Sequence, residues 1–243
     1  MRVEGQRSDV LASTAAPLRV DRPAEGEGER MKVLYEERFS GDLEFRRVMW
    51  QELCRGFFDR FVRPQDTVLD LAAGACEFIN AVRAQTRIAV DINPAVVDRA
   101  GPGVQALVSP ADDLAQVPDG SVDVVFASNF FEHVERATIL SVMTEARRVL
   151  RPGGRFLVLQ PNIRFCARDY WMFLDHITPV DDRALVEAFT MTGYRVRTVI
   201  PRFLPFTTKS RLPKSPLLVR AYLAFPPVWR LMGKQSFLLA ERP

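Results

Sequence analysis

The residues best suited to bind a ligand or to do chemistry lie at the ends of two short apolar runs. Asp70 closes the first run and is followed by a turn of small residues, 72–75. Small side chains let the backbone come close to a ligand, and the amide groups at the start of the next helix are available to bind it. Asp91 ends the next run, 21 residues later, and an acid there is placed to accept hydrogen bonds from two ribose hydroxyls. The pattern predicts a site for a nucleoside-containing cofactor.

Two histidines, His133 and His176, are the candidate catalytic bases. Imidazole titrates near neutral pH and can take a proton from a substrate hydroxyl. Structural roles are open to both: His133 would brace its loop and the start of a helix, and His176 would be tied to Asp175. Neither histidine has a metal-ligand partner at a suitable sequence spacing, so no metal is expected.

Alternating strands and helices must position these side chains. Short apolar runs predict buried parallel strands, and three- and four-residue apolar spacing predicts helices between them. The predicted strands are 67–71, 87–91, 104–108, 122–127, 155–160, 194–200 and 236–240, and the predicted helices are 43–62, 77–83, 94–99, 137–150 and 178–192. The last helix is expected to have Thr178 as its N-cap and Pro179 at its first position. This order predicts an α/β fold, a doubly wound Rossmann-like seven-stranded sheet in three α/β/α layers, with ligands at the carboxyl ends of the strands.

The turn after the first strand distinguishes between classes of cofactor. A dinucleotide site would need GxGxxG, and only Gly74 is a glycine here. An acid before a small-residue turn resembles instead the first motif of class I S-adenosylmethionine-dependent methyltransferases, whose usual form is an acid followed by GxGxG. The resemblance continues in Asp91 and in the segments 121–126 and 145–154. It is close over 67–160 and looser as far as 200.

The resemblance implies S-adenosylmethionine as the cofactor and assigns roles to several residues. The turn with Asp70, Ala72 and Gly74 would hold the methionine part, and Asp91 would hold the ribose hydroxyls. Simpler alternatives are that Asp70 only braces its own loop and that Asp91 only ends a strand. Further expected contacts are Ile92 against the adenine, Asp112 or Asp113 on the adenine amino group, and Asn129 near the sulfonium.

The sequence departs from the family pattern at three places. Ala72 and Cys76 stand where the family has glycines, and Pro110 stands where it often has the acid that begins the adenine-contacting segment. These departures keep open the alternative of a non-catalytic S-adenosylmethionine-binding partner subunit. An NAD-dependent oxidoreductase or epimerase is a further alternative, against which the missing GxGxxG argues.

The segment 201–234 is long for a connection between two strands, and loops of that length are usually functional. From 201 to 243 there are eight basic residues and one acid, Glu241, interleaved with aromatic residues. Three interpretations remain open: a lid over the acceptor, a surface for acidic lipid or carbohydrate phosphate, and a packing or dimer element. Nucleic acid is not expected, because no reading helix or sheet is recognisable.

Composition bounds the remaining possibilities. The chain has 243 residues, a net charge of +3 and 47% hydrophobic residues, which excludes a disordered chain. No run approaches the roughly 18 apolar residues of a membrane span, and the first thirty residues lack the apolar core of a secretory signal. The three cysteines lie far apart without a CxxC pair, which argues against a disulfide framework. A cytoplasmic protein is expected.

The expected organisation is a flexible leader, 1–30, and one methyltransferase domain, 31–243. Within the domain we expect an N-terminal helical cap at 31–63, a cofactor-binding core at 64–200, a basic aromatic cap insertion at 201–235 and the last strand at 236–243. The expected reaction is in-line methyl transfer to a small or lipid- or sugar-like acceptor, by O-methylation, in bacterial small-molecule biosynthesis. The cap could contact a membrane or a lipid-linked substrate. A hydroxyl acceptor would need His133 or His176 as base, whereas a neutral amine would need none.

Overall fold

The strands of the protein form a single sheet in a computed structural model that describes residues 43–206 and 215–243. Their bounds are β1 Thr67–Leu71, β2 Thr86–Asp91, β3 Val104–Val108, β4 Val122–Ser128, β5 Leu150–Pro161, β6 Arg195–Ile200 and β7 Gln235–Glu241. The sheet has seven strands in the order β3-β2-β1-β4-β5-β7-β6. The neighbours from β3 to β5 pair in parallel, and β7 lies antiparallel to both β5 and β6. The predicted fold class is confirmed.

Helices cover both faces of this sheet. Their bounds are α1 Leu43–Gly56, α2 Glu77–Ala81, α3 Val96–Arg99, α4 Arg136–Val149, α5 Ile163–Tyr170, α6 Asp182–Met191, α7 Pro216–Ala224 and α8 Pro226–Met232, with short 3-10 helices at Phe58–Arg60 and Phe131–His133. Successive residues of a strand point to opposite faces, so Val68 and Leu69 enter different apolar clusters. One cluster joins the sheet to α4 and α6, and the other joins it to α1, α2 and the residues Phe203, Leu223 and Trp229. These are the three predicted layers.

Two predicted helix boundaries are wrong, and a tertiary contact explains the second. The first helix was expected to reach residue 62, but it ends at Gly56, where an added Cβ would lie 2.8 Å from the Leu223 side chain of α7. The last predicted helix was expected to be capped by Thr178. Its N-cap is Asp181, whose carboxylate accepts hydrogen bonds from the backbone amides of Arg183 and Ala184, while the Thr178 hydroxyl donates to the Val134 carbonyl at 2.6 Å.

Other elements extend beyond the sequence prediction. Strand β5 begins at Leu150 rather than at residue 155, because Leu150 pairs with Val122 beyond a register shift. Helices α5, α7 and α8 were not predicted. The expected leader 1–30, residues 31–42 of the expected N-terminal cap and residues 207–214 of the cap insertion lie outside the described residues. Within the described part of the chain, no helix is long and apolar enough to cross a membrane.

Candidate active site

The candidate site lies where the order of the strands in the sheet reverses. The chain continues from β1 to β2 and β3 on one side, whereas β4 lies on the other side of β1. The connections that leave β1 and β4 therefore separate, and open sheets bind ligands in the crevice this creates. Asp70 is in register with Ala89 of β2 and with Phe126 of β4, which places its strand between the two loops that form the crevice.

The turn after β1 keeps the backbone shape of a glycine-rich loop with only one glycine. The φ angles of Ala72, Gly74 and Cys76 are 53°, 54° and 57°, so alternate residues are left-handed at the three places where the family motif has glycine. A non-glycine residue pays about 1–2 kcal/mol for this conformation. The side chain of Cys76 is buried in the core. Burial raises the pKa of its thiol to about 12, so this cysteine is held as a thiol rather than as a nucleophile.

Asp91, at the end of β2, is held in place by backbone amides. Gly74 donates to Oδ2 at 2.7 Å, and Asn93 donates to Oδ1 at 2.8 Å. Each carboxylate oxygen can accept more than one hydrogen bond, so the group is oriented and keeps accepting capacity for a diol. The same contact ties the end of β2 to the turn after β1.

Asp70 is buried below that turn, with 3% of its surface exposed. Burial raises the pKa of its carboxyl group well above the ordinary value, and the nearby Asp91 and Glu77 carboxylates add to the effect, while a hydrogen bond to the Ile79 backbone opposes it. A buried carboxyl group in such surroundings favours either a proton or a neighbouring cation. The ammonium group of a methionine moiety is a cation of the required kind.

A cavity of about 210 Å³ opens between the ends of β2 and β4. Its lining residues are Ala72, Asp91, Ile92, Ser109, Pro110, Ala111, Asp112, Phe130, Val134 and Thr138. Ile92 is 66% exposed, although it is a large apolar side chain, so it offers a surface that a flat aromatic base could cover.

The cavity brings together some of the predicted cofactor residues and not others. Asp112 lines it, whereas Asp113 does not. The Asp113 carboxylate instead accepts from the Ala115 amide at 3.3 Å, which favours Asp112 of the two adenine candidates. Asn129 lies after β4 with a φ of 48°, and its amide group donates to the Ser128 hydroxyl at 3.0 Å. Asp70, Gly74 and Asn129 lie outside the lining of this cavity.

The two histidines meet, although 43 residues separate them in the sequence. Their ring centres are 5.0 Å apart. The His133 Nδ1 lies 3.0 Å from the Asp175 carbonyl oxygen, which is the bracing contact expected of a structural histidine. This contact uses Nδ1 only, so it leaves the chemistry of Nε2 undecided. His176 is 7% exposed.

Sequence reasoning missed a third member of this group, Glu132. Its side chain is 1% exposed, and Gln160 of β5 donates to its Oε2 at 2.7 Å. Burial raises the pKa of this carboxyl group, whereas the neighbouring His133 and the Gln160 hydrogen bond oppose the shift. An acid directly before a histidine was the one available indication, and only the packing of β5 and of the 175–178 loop gives it significance.

An aromatic wall adjoins the histidines. The rings of Tyr170, Phe173 and Phe206 lie 4.8, 5.1 and 6.3 Å from that of His176. The Tyr170 hydroxyl is engaged in the fold, since it donates to the Thr178 carbonyl at 2.6 Å and accepts from the Val180 amide at 3.1 Å. Because Tyr170 is fully buried, the accessible part of the wall consists of the half-buried Phe173 and Phe206, and Phe206 brings the cap insertion to it.

Most of the described cap insertion packs elsewhere. The Arg220 guanidinium of α7 donates to both carboxylate oxygens of Glu52 at 2.6 and 2.8 Å. The Trp229 ring of α8 lies 6.0 Å from the Phe57 ring. These contacts fix α7 and α8 against the α1 side of the sheet. They support the packing interpretation for residues 216–232. Among the described residues of the cap insertion, Phe206 is the one that lies near the histidines, as a lid would.

Comparison with known proteins identifies the family. Residues 69–158 match the family described as "Methyltransferase domain". A demethylmenaquinone methyltransferase of Symbiobacterium thermophilum is 30% identical over 172 residues, which are 64% of this chain and 68% of that protein. Ribosomal RNA-processing protein 8 of Rattus norvegicus is 27% identical over 88% of this chain, which spans half of that protein's length.

Solved structures agree on the fold. A methyltransferase of Archaeoglobus fulgidus that depends on S-adenosylmethionine superposes with a TM-score of 0.62 and 19% identity, over 86% of this chain and 99% of that one. The protein belongs to the class I S-adenosylmethionine-dependent methyltransferases, and S-adenosylmethionine is its cofactor. The crevice fits this cofactor, since it combines an oriented acid for a diol with an apolar cavity, and the buried carboxyl group of Asp70, which favours a cation, lies below the adjoining turn.

Proposed function

We propose that the protein transfers a methyl group to a hydroxyl oxygen of a small acceptor with apolar or ring character. The observation that carries the proposal is the meeting of His133, His176 and Glu132 beside the aromatic wall. This group adjoins the cofactor crevice, because the 3-10 helix with His133 lies between Phe130 and Val134, which both line the cavity. Aromatic rings favour a flat or apolar acceptor.

The residues of the crevice have separate proposed roles. The cofactor brings a methyl group already activated by its sulfonium, so the protein chiefly orients the reactants and excludes water. Asp91 holds the ribose hydroxyls, Ile92 and Asp112 face the adenine, and the turn with Asp70, Ala72 and Gly74 holds the methionine part. Asn129 lies at the floor beside the transferred group.

The acceptor proton must leave as the oxygen forms its new bond. The His133 Nδ1 is a donor to the Asp175 carbonyl, so Nε2 of the neutral ring is the nitrogen able to accept a proton. The buried Glu132 carboxylate, 3.8 Å from this nitrogen, would stabilise the resulting imidazolium. His176 has the alternative role, with its own Nε2 at 4.0 Å from the same carboxylate oxygen.

The acceptor class has independent support. The relative from Symbiobacterium thermophilum acts, by its name, on demethylmenaquinone, and a ring-bearing acceptor is compatible with the wall of Tyr170, Phe173 and Phe206. The exposed apolar residues Leu217, Phe225 and Leu231 of the cap insertion, in a segment rich in basic residues, suit a lipid-linked substrate held at a membrane surface.

The first experiment measures binding of S-adenosylmethionine and S-adenosylhomocysteine by calorimetry. Asp91→Ala removes the two ribose contacts and is expected to weaken both ligands at least 100-fold, or about 3 kcal/mol at roughly 1.5 kcal/mol for each hydrogen bond to a charged group. Asp98→Ala removes an exposed acid from α3 and is the matched control. Equal affinity of the two variants would contradict the proposed cofactor site.

The second experiment identifies the acceptor atom. The reduced, dihydroxy form of demethylmenaquinone and a panel of hydroquinones and phenols are incubated with isotopically labelled cofactor, and the products are analysed by mass spectrometry and NMR. Methyl transfer to oxygen is expected. Methylation of carbon or nitrogen would overturn the hydroxyl assignment, and tight cofactor binding without turnover on any acceptor would favour the non-catalytic partner subunit.

A further inference from the structure

Three potential metal-ligand atoms converge in the histidine cluster. The Glu132 Oε1 lies 3.8 Å from the His133 Nε2 and 4.0 Å from the His176 Nε2. The three atoms lie within 4.8 Å of one another. Two of the side chains are buried, and the His133 side chain is 18% exposed. The sequence expectation that neither histidine has a metal-ligand partner is therefore incomplete, because partners from distant segments meet in the fold.

The distances suit a bridging cation better than a bridging proton. A hydrogen bond would need a separation of about 2.7–3.2 Å between nitrogen and oxygen, and the observed 3.8 and 4.0 Å exceed it. Zinc bonds to histidine nitrogen and carboxylate oxygen are each about 2.0–2.2 Å long, so two ligands of one tetrahedral ion lie about 3.3–3.5 Å apart. Side-chain rotations that shorten the two nitrogen–oxygen distances by about 0.5 Å, and the largest separation of 4.8 Å by about 1.4 Å, would complete that geometry.

Surrounding contacts already orient the ligand atoms of His133 and Glu132. A carbonyl oxygen can only accept, so the His133 Nδ1 must carry the proton of its hydrogen bond to Asp175, and the lone pair of the neutral ring is then on Nε2. Gln160 fixes the other oxygen of Glu132. Metal sites characteristically have such outer partners, which set the tautomer and the ring orientation.

The backbone also ties the two segments together. The amides of Ile177 and Thr178 both donate to the Glu132 carbonyl, at 2.9 and 3.1 Å. The residue that carries the carboxylate is thus bonded directly to the loop that carries His176. This connection limits how far the third ligand can move away from the other two.

We propose that Glu132, His133 and His176 form a binding site for a divalent transition-metal cation of the zinc type. Two imidazoles and one carboxylate favour zinc, iron or nickel over magnesium, which prefers oxygen ligands. Three protein ligands leave a coordination position open, as in catalytic metal sites. If methyl transfer to a hydroxyl holds, that position would take the acceptor oxygen, and the cation would lower the pKa of the hydroxyl. His133 and His176 would then be metal ligands, and the proton would leave to solvent, in place of the base role proposed above for either histidine.

The test measures binding of Zn²⁺ to the full chain without a histidine tag. The chelator-treated protein is dialysed against Zn²⁺, and bound metal is quantified by mass spectrometry, with Mg²⁺ and Mn²⁺ as comparisons. One equivalent of zinc is expected. The chain has only two histidines, and both belong to the site, so the imidazole NMR signals of both are expected to shift together as zinc is added.

Variants distinguish this site from adventitious binding. Glu132→Gln and His133→Ala are each expected to weaken zinc binding at least 100-fold. Glu135→Gln, an exposed acid three residues further on, is the matched control and should bind as the native protein does. Because a buried substitution can unfold the chain, circular dichroism and S-adenosylhomocysteine affinity establish that each variant is folded.

Two results would overturn the proposal. One is a folded native protein that takes up no zinc, and the other is zinc uptake that is equal in the native protein, Glu132→Gln and His133→Ala, which would mean adventitious binding elsewhere. Neither result depends on methyl transfer. A protein that binds zinc at this cluster but methylates no hydroxyl would contradict the proposed function and leave the metal site standing.

Discussion

Ala72 offers a direct test of the strained turn that replaces a glycine-rich loop. Its φ of 53° lies in the left-handed region, where a Cβ costs about 1–2 kcal/mol. Ala72→Gly should therefore release about 1.5 kcal/mol of strain. The matched control is Ala73→Gly, since Ala73 is the next residue in the same turn, is also half-buried and is not among the described residues with positive φ.

Two contributions oppose the gain in both variants. A glycine raises the conformational entropy of the unfolded chain, which costs about 0.4–1 kcal/mol. Removal of a half-buried methyl group costs about 0.3 kcal/mol more, from roughly 0.8 kcal/mol for a fully buried one. Ala72→Gly is then expected to stabilise the protein by about 0.5 kcal/mol, and Ala73→Gly to destabilise it by about 1 kcal/mol. The difference of about 1.5 kcal/mol isolates the strain, because the opposing contributions cancel.

Urea unfolding without ligand measures both free energies, and thermal unfolding checks them, with an expected separation of about 3–6 °C for a chain of this size. If the two variants lose the same stability, Ala72 is not left-handed in solution, and the account of this turn is refuted. Calorimetry with S-adenosylhomocysteine is a second readout. Ala72 lines the cavity, so loss of its methyl group is expected to leave affinity unchanged or improved.

Three further substitutions test other parts of the structure. Asp70→Asn should raise the free energy of unfolding at neutral pH but not near pH 3. The reason is the raised pKa of Asp70, because of which the stability of the native protein falls as pH rises from the unfolded-state pKa towards the folded-state pKa. Urea titrations at several pH values measure this, and an unchanged pH profile would contradict it. Asp181→Ala removes the N-cap of α6 and should cost about 1 kcal/mol, measured by thermal unfolding, with no loss being the contrary result. Arg220→Ala leaves the buried Glu52 carboxylate without its bidentate partner and should lower the free energy of unfolding; an unchanged value in urea unfolding would mean that α7 is not docked by this pair.

Local sequence patterns were sufficient to predict the sheet. Strand β1 was predicted with its observed bounds, Thr67–Leu71, because a buried parallel strand is a continuous apolar run whatever lies beside it. The turn after it and Asp91 were recognisable because a strand that ends at a ligand crevice must be followed by small residues or polar side chains. These features depend on neighbours in the chain, and their spacing carries the family resemblance.

Helix boundaries were less predictable because they depend on distant residues. The sequence predicted Thr178 as the cap, but the fold uses the Thr178 hydroxyl for a contact with Val134, and Asp181 is the cap. At the end of α1, Gly56 likewise lies against Leu223, with no room for a Cβ. A prediction of helix ends from local sequence preference cannot include contacts with residues that are distant in the sequence.

The sequence by itself determined the class of this protein: an alternating α/β chain, a small-residue turn after an acid, and a second acid for a ribose. Only the tertiary structure decided that the two histidines meet. His133 follows β4 and His176 precedes α6, and they meet because the 175–178 loop is bonded to Glu132 through two backbone amides. Such a cluster leaves no periodic pattern in the sequence, since its side chains come from separate loops whose positions are fixed by the order of strands in the sheet.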